Sequence, residues 1–384
     1  MSPGEAAGQP RQSGPAGPPR VIAEIGTAHG GDMSKAAELI NAAAEAGADV
    51  AKFQAVIADE IVHPAAGSIE LPGGPTPIYE RFRALEQKPE FYAELEDRCL
   101  EAGIGFLCTP FGLASAGMLK ELRIREWKVA SPELNHLPLL RYLGETGVPV
   151  ILSTGVSRLA DIELALETLR ASGSRQITLL HCITAYPARE EEYNLALLPH
   201  LASLFGVTVG LSDHTTDPQL LPGLAVLQGA GVIEKHITLS RDSGGLDDPI
   251  ALEPGEFAGT VATVRRVWQL LRAGAGVETV RLEFEDAYGT ERIASIMGDG
   301  VKRLAPGERG SYGRTNRSIV ALRDLEAGEL IEESCVALLR SEQNVEPGLH
   351  PRELPEILGL RLFTRVVAGQ GLRWEHLTTR TTGT

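Results

Sequence analysis

Eight short apolar segments, each running into a polar residue suited to catalysis, constrain this chain more than any other feature. In order they are Val21–Glu24, Val50–Gln54, Phe106–Thr109, Trp127–Ser131, Val150–Ser153, Thr178–His181, Val209–Ser212 and Val232–His236. Helical stretches rich in Ala and Leu separate them. Alternating β and α units, eight of each, predict a (β/α)8 TIM barrel of the α/β class. In that fold polar residues at the C-terminal strand ends build the active site, and apolar strand interiors only fill the core. The chain reads as an enzyme.

One such barrel takes roughly 250 residues, so a chain of 384 leaves room for a second module of about 70. A hydrophobic content of 43% with 23% charged residues fits a soluble globular protein. Spanning a bilayer needs roughly 20 consecutive apolar residues, and the sequence has no such run, so no membrane partner is expected. The net charge of −15 excludes nucleic acid, whose phosphates would be repelled. It leaves a small anionic substrate open, because a local cluster of lysines outweighs a distant field. Cys99, Cys108, Cys182 and Cys335 show no paired spacing and read as reduced thiols of a cytoplasmic protein.

The first βα unit shows how the pattern works. Ser34 is the expected helix N-cap, Leu39, Ile40, Ala43 and Ala44 form one apolar face, and Gly47 closes the helix. Residues 1–19, rich in Gly, Pro, Ala and Gln, read as a disordered leader, and 20–276 as the catalytic barrel. Residues 277–314 are charged and glycine-punctuated, which suits a connector lying across a surface. From 315 to 384 the pattern turns to short β-like pieces. There Ala327-Gly328 is followed by Ile331 and Val336, and Ala368-Gly369 by Leu372 and Leu377 at the same offsets. Two similar halves predict a compact, pseudo-symmetric β-rich module, small enough to need something to pack on.

His214 and His236 stand at the ends of the last two barrel strands, where two imidazoles can share a metal and leave positions open for water or substrate. Lys52 and Lys128 end strands two and four on the same rim. A lysine at the end of an apolar strand is costly unless an anion or carboxylate pairs with it, Glu24 and Glu133 being the protein carboxylates at hand. Thr109, Ser131, Ser153, Thr184 and Ser212 place small hydroxyls around the lysines. Cations ringed by hydroxyl donors suit a phosphate together with a carboxylate.

The strings Ala23-Glu24-Ile25-Gly26, Lys52-Phe53-Gln54, Thr109-Pro110-Phe111, Leu152-Ser153-Thr154-Gly155, Gly210-Leu211-Ser212-Asp213-His214 and Glu234-Lys235-His236-Ile237-Thr238-Leu239 resemble the N-acetylneuraminate (sialic acid) synthase family. So does Ala251-Leu252-Glu253-Pro254-Gly255-Glu256, and the C-terminal part is similar to that family's antifreeze-like (SAF, β-clip) domain. The resemblance runs in order over residues 20 to 384. It implies condensation of phosphoenolpyruvate with an open-chain amino sugar to give a 2-keto-3-deoxy sugar acid and phosphate. His214 and His236 would bind Mn2+ or Mg2+. Lys52, Thr109, Lys128, Ser131, Ser153, Thr184 and Ser212 would hold phosphoenolpyruvate, with Lys52 and Lys128 also stabilising the leaving phosphate. Gln54, Glu133, Tyr186 and Asp247 would contact sugar hydroxyls, and Glu24 would act as acid–base group or water positioner. The resemblance also implies a domain-swapped homodimer in which Arg340 reaches the partner's sugar.

Three places depart from the family pattern: Ala28 before His29, Cys182-Ile183-Thr184 after strand six, and Arg340-Ser341-Glu342-Gln343 where an Arg-Pro-Gly loop is usual. They bear on the acceptor sugar, not on the reaction type. The same chemistry on another aldose, a Schiff-base aldolase using Lys128 or Lys52, and a catalytically silent sugar-binding protein remain the competing readings.

Overall fold

In the computed structural model, which describes residues 17–71, 74–343 and 345–377, the eight expected strands form one parallel sheet. Most of the expected leader lies outside the described residues. The strands are β1 (Arg20–Gly26), β2 (Val50–Ala55), β3 (Gly105–Pro110), β4 (Trp127–Val129), β5 (Val150–Ser153), β6 (Ile177–Cys182), β7 (Thr208–Asp213) and β8 (Val232–His236). Hydrogen-bonded neighbours run β3-β2-β1-β8-β7-β6-β5-β4, and no ladder joins β3 to β4 among the described residues. The sheet is thus a near-barrel with one seam.

Side chains alternate along each strand, so the barrel interior is read two residues at a time. Ile22, Val50, Leu107, Ile151, Leu180 and Val232 fill the interior as a small apolar cluster. Two positions further along the same strands stand Glu24, Lys52, Thr109, Ser153, Cys182 and Glu234, all buried. The polar rim is therefore the next layer above the apolar plug. At Gly210 a side chain would press on the Val232 carbonyl and on Leu180 Cδ2 at 2.7 Å, so β7 keeps a glycine where the interior is tightest.

Helices cover the outside. Helix α1 (Met33–Glu45) buries Ala36, Leu39, Ile40 and Ala43, the expected face without Ala44, which is only partly buried. Its N-cap is Asp32 and not Ser34: Asp32 Oδ1 accepts from the Ser34 and Lys35 amides at 2.8 and 3.3 Å. A carboxylate oxygen two residues earlier simply satisfies those amides first. The stretch expected to be a connector holds two helices, α2 (Val277–Tyr288) and α3 (Thr290–Met297). Val280, Phe284, Ile293 and Ile296 belong to the barrel's outer core, so this segment packs more deeply than its composition suggested. No helix among the described residues is long and apolar enough to cross a membrane.

The C-terminal module pairs β9 (Arg317–Ala321) with β10 (Val336–Arg340) in antiparallel register around its own apolar cluster. The repeat is visible in the backbone. Leu325 and Val366 exchange amide–carbonyl bonds of 2.8 and 3.0 Å, and Gly328 and Gly369 both adopt a positive φ of 86° and 83°. The module docks on the loop after β2. The Arg340 amide donates to the Ile61 carbonyl at 2.9 Å, and fully buried Arg317 donates to Glu133 Oε1 at 2.9 Å and the Phe111 carbonyl at 2.7 Å.

Candidate active site

Register brings the rim residues together. Glu24 stands opposite Lys52 on one side and His236 on the other, Ser212 opposite Glu234, and Gln54 opposite Thr109. One narrow cavity at this end is lined by Glu24, Lys52, Gln54, Lys128, Ser131, Ser153, Thr184, Tyr186, Ser212, His214 and His236, all singled out from sequence. Cys182 and Glu234 line it as well. Buried Thr109 sits on the same rim, and its hydroxyl has no hydrogen-bond partner.

At the floor lies a network of two ammonium groups and two carboxyls. Lys52 Nζ is 3.1 Å from Glu24 Oε2 and 2.9 Å from Glu234 Oε1, while Lys128 Nζ is 3.7 Å from the same Glu234 oxygen. Gln54 donates to Glu24 at 2.7 Å, Ser212 to Glu234 at 3.2 Å, and Lys128 to Ser153 Oγ at 2.7 Å. Burial alone would raise the Glu234 carboxyl, but Lys128 and Lys52 hold it below the ordinary carboxylate range. Glu24 goes the other way: burial pushes it up against the pull of Lys52. Burial also lowers Lys128 to about 8, even with Glu234 supporting its charge. Two carboxyls in one network are thus driven apart, and one lysine is poised to titrate near neutrality.

Beside the network the backbone makes a cradle. The Gly155 amide donates to Ser131 Oγ at 2.9 Å. A Cβ at Gly155 would overlap Thr184 Oγ1 and approach Ser131 Oγ to 2.9 Å and Cys182 Sγ to 3.3 Å. Only glycine lets the Thr184 and Ser131 hydroxyls pack this close to the backbone at the cavity wall, and Thr184 Oγ1 has no protein partner. With Lys128 and Ser153 alongside, the cradle suits a phosphate or carboxylate.

The histidines lie on the neighbouring strand ends with ring centroids 5.4 Å apart. The Ile183 carbonyl lies 2.8 Å from His214 Nδ1, so Nδ1 carries the proton and Nε2 is free to ligate. Burial and then the His214 charge hold His236 well below its usual range, as a neutral imidazole. Burial also lowers His214, but the negative charge of a Cys182 thiolate 3.9 Å away, with the hydrogen bond to the Ile183 carbonyl, outweighs it and draws the group up to about 9. A cation entering here would displace that proton. Among the described residues no three His, Cys, Asp or Glu side chains form a metal-holding group. Asp247 Oδ2 is 3.8 Å from His236 Nδ1, and Glu24 stands beside His236 in register. Two imidazoles with carboxyls beside them fit a divalent cation that keeps several positions open.

Two expected sugar contacts, Glu133 and Arg340, do not line this cavity. Glu133 is fully buried, and its Oε1 accepts from Arg317 at 2.9 Å and from Arg340 at 2.7 Å. Arg340 stays with the Glu133 of its own chain, its guanidinium 5.4 Å from the Phe111 ring centre. Tyr186 stacks on His214 at 4.4 Å and is about half exposed (52%), at the cavity mouth. Sequence reasoning passed over Glu234, although Val232, Glu234 and His236 share one strand face by simple alternation. Arg317 gave no signal, because one arginine at a strand start resembles any other.

A parallel near-barrel whose C-terminal rim gathers lysines, hydroxyls and two histidines defines a barrel enzyme that handles an anionic substrate. Residues 39–276 match the NeuB family and residues 316–378 the SAF domain. The crystal structure of the spore coat polysaccharide biosynthesis protein SpsE of Bacillus subtilis superposes with a TM-score of 0.81 at 33% identity, covering 98% of this chain and 100% of that one. The N,N'-diacetyllegionaminic acid synthase of Legionella pneumophila is 33% identical over 93% of this chain and 94% of its own length. The N-acetylneuraminic acid synthetase of Leptospira borgpetersenii, solved with citrate, is 31% identical, with a TM-score of 0.60 over 71% of this chain and 93% of that one. The chain belongs to the NeuB family and carries its C-terminal SAF domain.

Proposed function

We propose that this enzyme condenses phosphoenolpyruvate with an amino aldose, releasing phosphate and a 2-keto-3-deoxy sugar acid. The observation that carries the reading is the pair of buried lysines beside the Gly155 cradle, on the same rim as two histidines. Lys52, Lys128, Thr109, Ser131, Ser153, Thr184 and Ser212 supply the charge and donors for a phosphate and a carboxylate on adjacent atoms. Gln54, Tyr186 and Asp247 face the mouth, where sugar hydroxyls would lie. The enol C3 attacks the aldehyde carbon, and the aldehyde oxygen takes up a proton. Water then adds at C2, and the C2–O bond breaks so that phosphate leaves with the bridging oxygen.

Glu24, its carboxyl raised by burial and beside His236 in register, is the group placed to supply that proton or to hold the water. Lys52 and Lys128 stabilise the departing phosphate. Mn2+ or Mg2+ held by His214 and His236 would add Lewis acidity at the aldehyde oxygen. Buried cysteines with no disulfide among them suit a reducing, cytoplasmic setting. Phosphate release assayed with phosphoenolpyruvate, a divalent cation and a panel of aldoses tests the reading and identifies the acceptor. No release with any aldose would refute it.

One observation favours a second reading. Lys128, lowered to about 8 by burial, holds more neutral amine near neutral pH than an ordinary lysine, as a Schiff-base lysine requires. Borohydride trapping of a pyruvate adduct on Lys128 would support the aldolase, whereas the synthase predicts none.

We propose further that the enzyme is a homodimer in which the docking seen here between Arg340 and Glu133 is exchanged between chains. Exchange reuses an existing contact at little cost. Mixing inactive H236A with inactive R340A then restores partial activity. No recovery despite demonstrated subunit exchange would keep Arg340 in its own chain's site, or nowhere near one.

A further inference from the structure

Between the barrel and the C-terminal module, three side chains grip one active-site loop by its backbone. Lys302 donates to the Thr154 carbonyl at 3.1 Å, and Asn316 Nδ2 donates to the Val156 carbonyl at 3.1 Å. Between them Glu308, fully buried on the short turn Pro306–Glu308, accepts the Val156 amide at 2.7 Å and the Thr184 amide at 2.8 Å on the same oxygen. Its second oxygen accepts the Ala305 amide at 3.2 Å. One carboxyl thereby ties the loop after β5 to the loop after β6.

These loops form the two walls of the Gly155 cradle. Val156 has a φ of +40°, a conformation a β-branched residue adopts only when its surroundings impose it. Released from Glu308, Val156 would relax toward negative φ, turning the Gly155 amide away from Ser131 and parting Gly155 from Thr184. No group of Glu308 lines the cavity, so it would act through these amides alone.

We propose that Glu308 is a positioning residue for the anion cradle, holding the Gly155 and Thr184 walls packed together so that the Ser131 and Thr184 hydroxyls stay in the cavity beside the lysines. The connector is then a clamp on the substrate site. Asn316, the third gripping residue, lies just past the connector and precedes Arg317, whose amide donates to Asn135 Oδ1 at 3.0 Å at the docking face of the C-terminal module. Cap docking and cradle geometry therefore share one stretch of chain.

The kinetic half of the test rests on the phosphoenolpyruvate reading; the exchange half does not. In Glu308→Ala, peptide-resolved hydrogen exchange should show the Val156 and Thr184 amides exchanging at least about tenfold faster, with the other barrel strands unchanged. The KM for phosphoenolpyruvate should rise about tenfold or more, while the KM for the aldose stays within about twofold. Glu308→Gln keeps one acceptor oxygen for the Val156 and Thr184 amides and should lose less than the alanine variant on both measures, which also covers the case where the alanine variant fails to fold. Unchanged exchange at Val156 and Thr184 overturns the clamp whatever the enzyme turns over. Equal rises in both KM values, or fast exchange throughout the barrel, also overturn it, because Glu308 would then be merely structural. Fast local exchange in a protein whose wild type neither binds phosphoenolpyruvate nor releases phosphate upholds the clamp and refutes the synthase reading.

Discussion

Replacing Glu234 by Gln removes the one carboxylate that both buried lysines share. Its Oε1 lies 3.7 Å from Lys128 Nζ, a separation worth ~4.5 kcal/mol at an effective dielectric constant of about 20. That corresponds to roughly 3 pH units on the lysine. Lys128 already sits at about 8, because burial lowers it further than Glu234 lifts it. Without Glu234 the amine would be neutral at pH 7. Lys52 keeps Glu24 at 3.1 Å and stays charged. The sign of the pH effect follows from the anion preferring the protonated amine. In the wild type, affinity for phosphoenolpyruvate falls as pH rises through about 8. In Glu234→Gln the same fall comes at a pH well below 7. Loss of one buried charge contact costs about 3 kcal/mol, so the KM for phosphoenolpyruvate at pH 7 should rise about a hundredfold and recover on acidification. Steady-state phosphate release at a series of pH values measures this. A variant with a KM within about twofold of wild type and an unshifted pH profile would refute the reasoning.

Two further outcomes follow from the geometry. His214→Ala and His236→Ala should each abolish turnover with thermal unfolding within a few degrees of wild type, and chelation should silence the wild type until Mn2+ or Mg2+ is restored; full activity after exhaustive chelation would contradict the metal site. Gly155→Ala should cost at least about tenfold in affinity for phosphoenolpyruvate with little change for the aldose, as the new methyl overlaps Thr184 Oγ1 and displaces the Thr184 and Ser131 hydroxyls; calorimetric titration with phosphoenolpyruvate checks it.

The barrel and most of its rim were legible because strand alternation is local. An apolar residue at position i marks a rim residue at i+2, and Ile22–Glu24, Val50–Lys52 and Ile151–Ser153 obey that rule. The same rule reaches Glu234 from Val232, but a carboxylate next to a lysine and a histidine reads as solvated charge until its burial is known. The rest depended on contacts distant in sequence. Glu308 bonds the Val156 amide across 152 positions, and Arg317 bonds Glu133 across 184. Nothing near either residue announces the partner. In the connector, Val280 and Phe284 share an apolar helix face, but the glycines at 298, 300, 307, 310 and 313 drew the reading toward loop.

Carbon–oxygen cleavage of phosphoenolpyruvate is the centre of the account, and one isotope experiment addresses it. Phosphoenolpyruvate carrying 18O in the bridging position is turned over with the best aldose, and both products are weighed by mass spectrometry. The lysine-held phosphate and the addition of water at C2 predict the label in inorganic phosphate. Label retained in the sugar acid would mean phosphorus–oxygen cleavage and would contradict it.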